Sequence, residues 1–203
     1  NQLGDSRNMG VNNTRATNVV AYTSPTFFGV SAMAAGITNA DNDDHDVVGD
    51  TEAMAVLVKY SGGPVTAGLA RDAYNNALET TNTNVTVGVK VGPAKIVAMY
   101  QMDENLAVAD DERTIMGLGA SASFGSHTVK AQWYQATDTT AAGVETEGSL
   151  IALGYDFAFS KTFTGYVVVA QSDDDLGGAA YGMAAGGHGD QPTVINGESM
   201  NGV

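Results

Sequence analysis

Apolar residues recur at every second position along most of the chain, and the recurrence breaks at regular intervals. Residues 84–91 show it most plainly: Val85, Val87, Val89 and Val91 alternate with Asn84, Thr86, Gly88 and Lys90. A period of two sends successive side chains to opposite faces of a β-strand, so one face is apolar and the other wet. The pattern predicts ten strands, over 15–24, 29–38, 52–61, 64–73, 83–92, 94–103, 113–124, 127–137, 147–159 and 161–172. Each comes close to the roughly 9–11 residues that a tilted strand needs to cross a bilayer. No run approaches the ~20 consecutive apolar residues of a membrane-spanning helix, so a membrane role has to rest on strands.

Two kinds of connection alternate between these strands. The short ones carry turn residues: Ser24-Pro25-Thr26-Phe27-Phe28-Gly29, Gly62-Gly63-Pro64, Gly92-Pro93, Gly125-Ser126 and Ser160-Lys161. The long ones cover 39–50, 75–82, 103–112, 138–147 and 172–198. A tight turn can join only adjacent antiparallel strands, so the alternation predicts simple up-and-down order with every long loop on one rim. That is the layout of a transmembrane barrel. The predicted fold is therefore all-β, an up-and-down antiparallel transmembrane β-barrel, with residues 1–203 forming one partial barrel domain.

Charge sharpens the picture through its placement. The formal net charge of −14 argues against nucleic acid as a partner and against a general attraction to anionic lipid. The five long loops hold 19 of the 23 acidic residues and none of the nine Lys and Arg, while the short turns carry no acid. A soluble sandwich has no physical reason for such a difference between its two ends. An outer-membrane barrel has one, because its long loops all face outward from the cell. Aromatic residues gather beside the short turns instead: Tyr22, Phe27, Phe28, Tyr60, Phe124, Phe157, Phe159 and Phe163 suggest one interfacial girdle at the periplasmic edge.

Composition excludes some chemistry. With no Cys there is neither a disulfide framework nor a thiolate metal site. The opening Asn1-Gln2-Leu3-Gly4-Asp5 lacks the basic and apolar regions of an export signal, which implies a removed signal or a missing start. Gly4-Asp5-Ser6 is similar to the nucleophile block of one class of lipases and esterases, but none of His45, His127 and His188 has the Asp three residues ahead of it that such a site needs. No catalytic residue and no cofactor is therefore assigned. Asp41-Asn42-Asp43-Asp44-His45-Asp46, with Glu52 at the twelfth position, partly matches a calcium loop and makes Asp41, Asp43 and Asp46 the candidate metal ligands. The loop lacks Gly at its sixth position, so the sharp turn is unsupported and a solvated acidic loop is the better reading.

Strand parity supplies the most useful site. If the alternating valines face lipid, the opposite parity sends Arg15, Lys59, Asn84, Thr86, Lys90, Gln101, Lys130, Gln132 and Asp156 into a lumen, together with Thr17, Lys95 and Thr128. Lys95 and Lys130 lie near short turns, where rim positions or snorkelling are the alternative. A lysine held at mid-bilayer on the lipid side costs about 2–4 kcal/mol, and this penalty enforces the assignment.

Three stretches resemble the general porins of Gram-negative bacteria, a trimeric, sixteen-stranded family. Arg15-Ala16-Thr17-Asn18-Val19-Val20-Ala21-Tyr22-Thr23-Ser24-Pro25-Thr26-Phe27 is similar to the family's Arg…Asn-Ser-x-x-Tyr-x-Ser-Pro-x-Phe stretch, which follows the constriction loop. Thr114-Ile115-Met116-Gly117-Leu118-Gly119-Ala120-Ser121-Ala122-Ser123-Phe124-Gly125 resembles a later strand. So does Gly154-Tyr155-Asp156-Phe157-Ala158-Phe159-Ser160-Lys161-Thr162, which departs from the family's Tyr-x-Leu-Ser-Lys-Arg-Thr pattern by lacking the Arg. The resemblance implies that 1–14 is the tail of the constriction loop, that 172–198 is a long extracellular loop, and that the first strands and most of the last are absent. It implies passive diffusion of ions and small hydrophilic solutes through a homotrimer in the bacterial outer membrane, in contact with lipopolysaccharide. The rival expectation is an acidic all-β surface or adhesion protein without a channel, which would bury the valine faces against a second sheet.

Overall fold

A computed structural model describes residues 18–37, 52–75, 79–105, 108, 111–174 and 200–202. Eleven strands run through them: β1 Val19–Thr23, β2 Val30–Ile37, β3 Glu52–Gly62, β4 Val65–Asn75, β5 Thr80–Val91, β6 Ala94–Asn105, β7 Glu112–Phe124, β8 His127–Thr139, β9 Glu145–Ala158, β10 Thr164–Asp174 and β11 Met200–Gly202. They form one antiparallel sheet in sequence order, with β1 and β11 at its two open edges. Among the described residues there is no helix and no second sheet. Every strand expected from the apolar alternation is present, and β11 adds a short eleventh.

The short turns hold the register. Gly63-Pro64, Gly92-Pro93 and Gly125-Ser126 each join two strands with a two-residue loop, and the first residue has a φ of 55°, 57° and 61° respectively. Positive φ at that position matches the twist of the flanking strands, which is why Gly opens all three. From these pins the ladders run far: thirteen residue pairs join β7 to β8, from Phe124↔His127 out to Glu112↔Thr139.

Strand ends differ from the expectation at the other rim. β5 begins at Thr80 and β9 at Glu145, while β6, β8 and β10 run on to Asn105, Thr139 and Asp174. Three of the expected long loops thereby shrink to 76–79, 106–111 and 140–144, and the loop expected over 172–198 starts after Asp174. Polar and acidic residues here continue the strands because their backbones keep pairing beyond the apolar band. Asp103, Glu104, Glu112, Asp138, Glu145 and Glu147 are strand residues, not loop residues.

The two faces of the sheet are unlike in burial. Every fully buried residue except Thr81 lies on the face that carries Gln101, Ile115, Ala136 and Leu150. The other face holds most of the exposed apolar side chains, among them Met54 at 68%, Leu118 at 50% and Leu153 at 53% of full exposure. An apolar face of this extent is what a bilayer-facing wall requires, and among the described residues no second sheet, on which the adhesion reading depends, covers it.

Tyr134 shows how the buried face packs. It pairs with Gly117 in the register, and an ideal Cβ on Gly117 would sit 2.5 Å from Cε1 of the tyrosine ring and 2.7 Å from Cγ of Met99. The ring lies in the space that the missing side chain leaves. Gly117→Ala is therefore expected to destabilise the folded protein by about 1–3 kcal/mol through overpacking, whereas Gly119→Ala, whose Cβ meets nothing nearer than 3.9 Å, is expected to be close to neutral. Urea unfolding of the two variants in detergent, followed by Trp133 fluorescence, measures the difference.

Candidate functional site

The sequence-predicted residues fall on one face. Register pairs tie Asn84 to Gln101 and Thr86 to Met99, Lys59 to Gly68, Ser121 to Lys130, and Gln132 to Ala152 and Thr128 to Asp156. All of them, with Lys90 and Lys95, lie on the face opposite Val85, Val87 and Val89. Arg15, Asp41, Asp43 and Asp46 lie outside the described residues. Among the described residues no cluster of His, Asp and Glu is suited to hold a metal ion.

Two charged rows cross this face. Near the rim of the longer connections, Asp72, Asn82, Asp103, Arg113 and Asp138 stand in register on five successive strands, β4 to β8. Side-chain bonds link neighbours within the row. Asn82 donates its amide to Asp103, Gln101 Nε2 donates to Asp103 Oδ2 at 2.9 Å, and Arg113 binds Asp138 through two nitrogens, with Nη2 2.8 Å from Oδ2. Such a two-point guanidinium–carboxylate pair is stronger and more directional than a single contact. The row holds three carboxylates and one guanidinium, so it stays acidic.

Near the short turns the sign reverses. Lys90, Lys95, Ser121 and Lys130 occupy one register row across β5 to β8. Lys130 pairs with Asp156. Between the two rows the face is not uniformly wet: Ile115, paired with Gln101, and Leu150 on β9 are fully buried there. Apolar residues at these positions depart from the simple greasy-face and wet-face alternation, because side chains crowded on this face bury one another.

The opposite face ends in rings. Phe124, His127, Tyr155 and Phe157 share it at the short-turn end, and Phe159 and Phe163 extend the set through the turn. His127 Nδ1 lies 2.6 Å from the Tyr155 hydroxyl. Aromatic rings with a polar tip, standing beside an exposed apolar band, are the side chains that a membrane–water boundary selects.

A family model for the Gram-negative porins matches residues 1–177. The chain belongs to the Gram-negative porin family. Solved porin structures agree with this membership. The anion-selective porin from Comamonas acidovorans is 25% identical, with a TM-score of 0.74 over 92% of this chain and 57% of that one. OmpT, an outer membrane protein of Vibrio cholerae, folded in vitro, is 16% identical, with a TM-score of 0.66 over 92% of this chain and 62% of its own. A trimer form of the same Vibrio protein is 15% identical with the same TM-score and coverage, 0.66, 92% and 62%. No curated protein matches the chain. The chain thus spans 57% of the Comamonas porin's length, and its open sheet follows the corresponding part of a porin barrel wall. Family membership locates it in the bacterial outer membrane, where barrels of this kind set short turns at the periplasmic rim and longer loops outside.

Sequence reasoning missed the acidic row of this porin. The alternation places Asp103 at the junction of a strand and a connection and Asp138 at the start of a connection, and it does not single out Asp72, Asn82 or Arg113. The signal was nonetheless present, since Asn82 continues the parity of Asn84, Asp103 that of Gln101, and Arg113 that of Ile115. Arg71 was also passed over. It stands on the outward face, where its Nη1 donates to Thr83 Oγ1 at 2.8 Å. Arg113→Gln leaves Asp103 and Asp138 without their shared cation. It is expected to destabilise the folded barrel by about 1–3 kcal/mol at low ionic strength, with a smaller penalty at high salt. The Arg113→Gln, Asp138→Asn double variant is expected to recover most of that loss, as judged by the urea midpoint of each variant in detergent.

Proposed function

We propose that the complete protein is a water-filled channel for passive diffusion of ions and small hydrophilic solutes, and that this chain supplies the greater part of its wall. It catalyses no reaction and uses no cofactor. The observation that carries the proposal is the unlike pair of faces on one continuous up-and-down sheet: exposed apolar side chains on one, charged and amide side chains on the other. A barrel closed from such a sheet must put the first face on lipid and the second on water. Arg15, Lys59, Asn84, Thr86, Lys90, Gln101, Lys130, Gln132 and Asp156 then line the pore. Selectivity is set by lumen width and by wall charge, and no bound substrate is involved.

The protein assembles as a homotrimer, in keeping with the trimer form of the Vibrio protein. Its outward face meets outer-membrane lipid and lipopolysaccharide. Native mass spectrometry of the full-length protein in mild detergent is expected to return the trimer as the main species, and a monomer alone would refute it.

Two charge sets compete for control of ion preference. The outer rim is acidic, and Lys59, Lys90 and Lys130 stand deeper. At physiological salt the Debye length is about 8 Å, so rim charges act at the mouth and wall charges act on any ion in a narrow lumen. Selectivity is expected to be weak at high salt and to drift toward cations as salt falls and the rim field extends. In planar-bilayer recordings under a salt gradient, Lys59→Gln with Lys90→Gln is expected to move the reversal potential toward cations. Neutralising Asp41, Asp43, Asp44 and Asp46 is expected to move it the other way, at low salt only. An unchanged reversal potential in the lysine double variant would remove Lys59 and Lys90 from the pore.

A further inference from the structure

Passive diffusion does not require two like charges to face each other across a hairpin, yet Lys90 and Lys95 do so. Directly opposed residues in an antiparallel pair have Cβ atoms about 4.5–5.5 Å apart, and like charges at that spacing destabilise the pair. The pair cannot slip apart. Gly92-Pro93 closes the hairpin with only Val91↔Ala94 between the turn and the lysines, so the register is fixed at their level.

Nothing charged in the described neighbourhood offsets the repulsion. Next to the lysines on the same face stand Gly88 and Val97 along the hairpin and Ser121 across from Lys95. Asp156, the nearest carboxylate in the register, is two strands beyond Ser121 and is engaged by Lys130. Among the described residues neither Lys90 nor Lys95 has an ion-pair partner. Both are exposed. Ser121 lies between Lys95 and Lys130 in the row, and beside it Gly119 leaves open space over the wall.

We propose that Lys90, Lys95 and Ser121 form a binding site for oxyanions with two negative charges, phosphate being the simplest, at the periplasmic end of the lumen wall. The site rests on the channel reading, because only there does this face meet water. Each ammonium group offers three donors and Ser121 offers one more. Two adjacent positive charges attract a dianion about twice as strongly as a chloride ion in the same dielectric. The occupied site also removes the repulsion that the hairpin otherwise carries. A dianion passing through the pore therefore pauses at this site, and its conductance saturates where that of chloride does not.

The experiment records the full-length channel in planar bilayers in dilute chloride at pH 7.5, with inorganic phosphate added to one side at a time. Phosphate is expected to lower the chloride current saturably, and at lower concentration from the periplasmic side than from the outer side. Lys95→Gln is expected to raise the half-blocking concentration about tenfold, as befits the loss of one charge-assisted contact, and Lys90→Gln with Lys95→Gln to abolish the block. Lys161→Gln, the same charge change in the turn 159–163 two hairpins along the same rim, should leave the block as it was. A conducting channel whose phosphate block survives the lysine double variant overturns the site while the channel reading stands. A protein that forms no channel overturns both. A second readout does not depend on current: phosphate should raise the melting temperature of the parent, relative to chloride at equal ionic strength, and not that of the double variant. Equal shifts in the two proteins would count against the site.

Discussion

Backbone hydrogen bonding governs this structure more than any side-chain contact. The hydrocarbon region of a membrane offers no donor or acceptor, so each strand that crosses it must satisfy its backbone on its two neighbours. The result is an uninterrupted ladder from β1 to β11. Once that ladder is in register, no side chain is free to choose its face. Leu118 and Leu153 are presented outward because Gly117 and Gly154 face the other way, and the same rule stacks Asp103 beside Arg113 and Lys90 beside Lys95.

The wall inverts the usual division of labour in a β-protein. A sandwich places its apolar faces together and leaves its charges outside. Here the apolar face is exposed on the protein and the close packing lies on the other side, where Tyr134 fills the space over Gly117 and Gln101 sits fully buried beside Ile115. Polar groups tolerate that burial by bonding to one another, as Asn82 does to Asp103 across the strand pair and Gln101 along its own strand. Within the row, Asn82 with Asp103 and Arg113 with Asp138 hold each other against the cost of desolvation.

Charge along the wall is graded from acidic at the outer rim to basic at the periplasmic one. Each end has its own local compensation, Arg113 with Asp138 in one row and Lys130 with Asp156 in the other. What is left over differs in sign: carboxylates outside, and Lys90 with Lys95 inside. Those residual charges meet the ions. The compensated pairs meet chiefly each other.

Period-two alternation sufficed to locate the strands, their faces and their order, because those depend on local geometry and on turn residues such as Gly92-Pro93 and Gly125-Ser126. The parity of Lys59, Asn84, Lys90, Gln101 and Lys130 was legible for the same reason. The rest was not, since which residue stands opposite which is a property of two strands and not of one. Lys90 and Lys95 lie five positions apart in the chain, and only the hairpin register turns them into a facing pair. Asp72 and Asp138 are far apart in sequence, and four successive pairings bring them into one row. Strand ends were decided in the same way. Thr80, Asn82 and Glu145 show no apolar alternation that would mark them as strand, but their neighbours' backbones extend alongside, and pairing with them is worth more than the freedom of a loop.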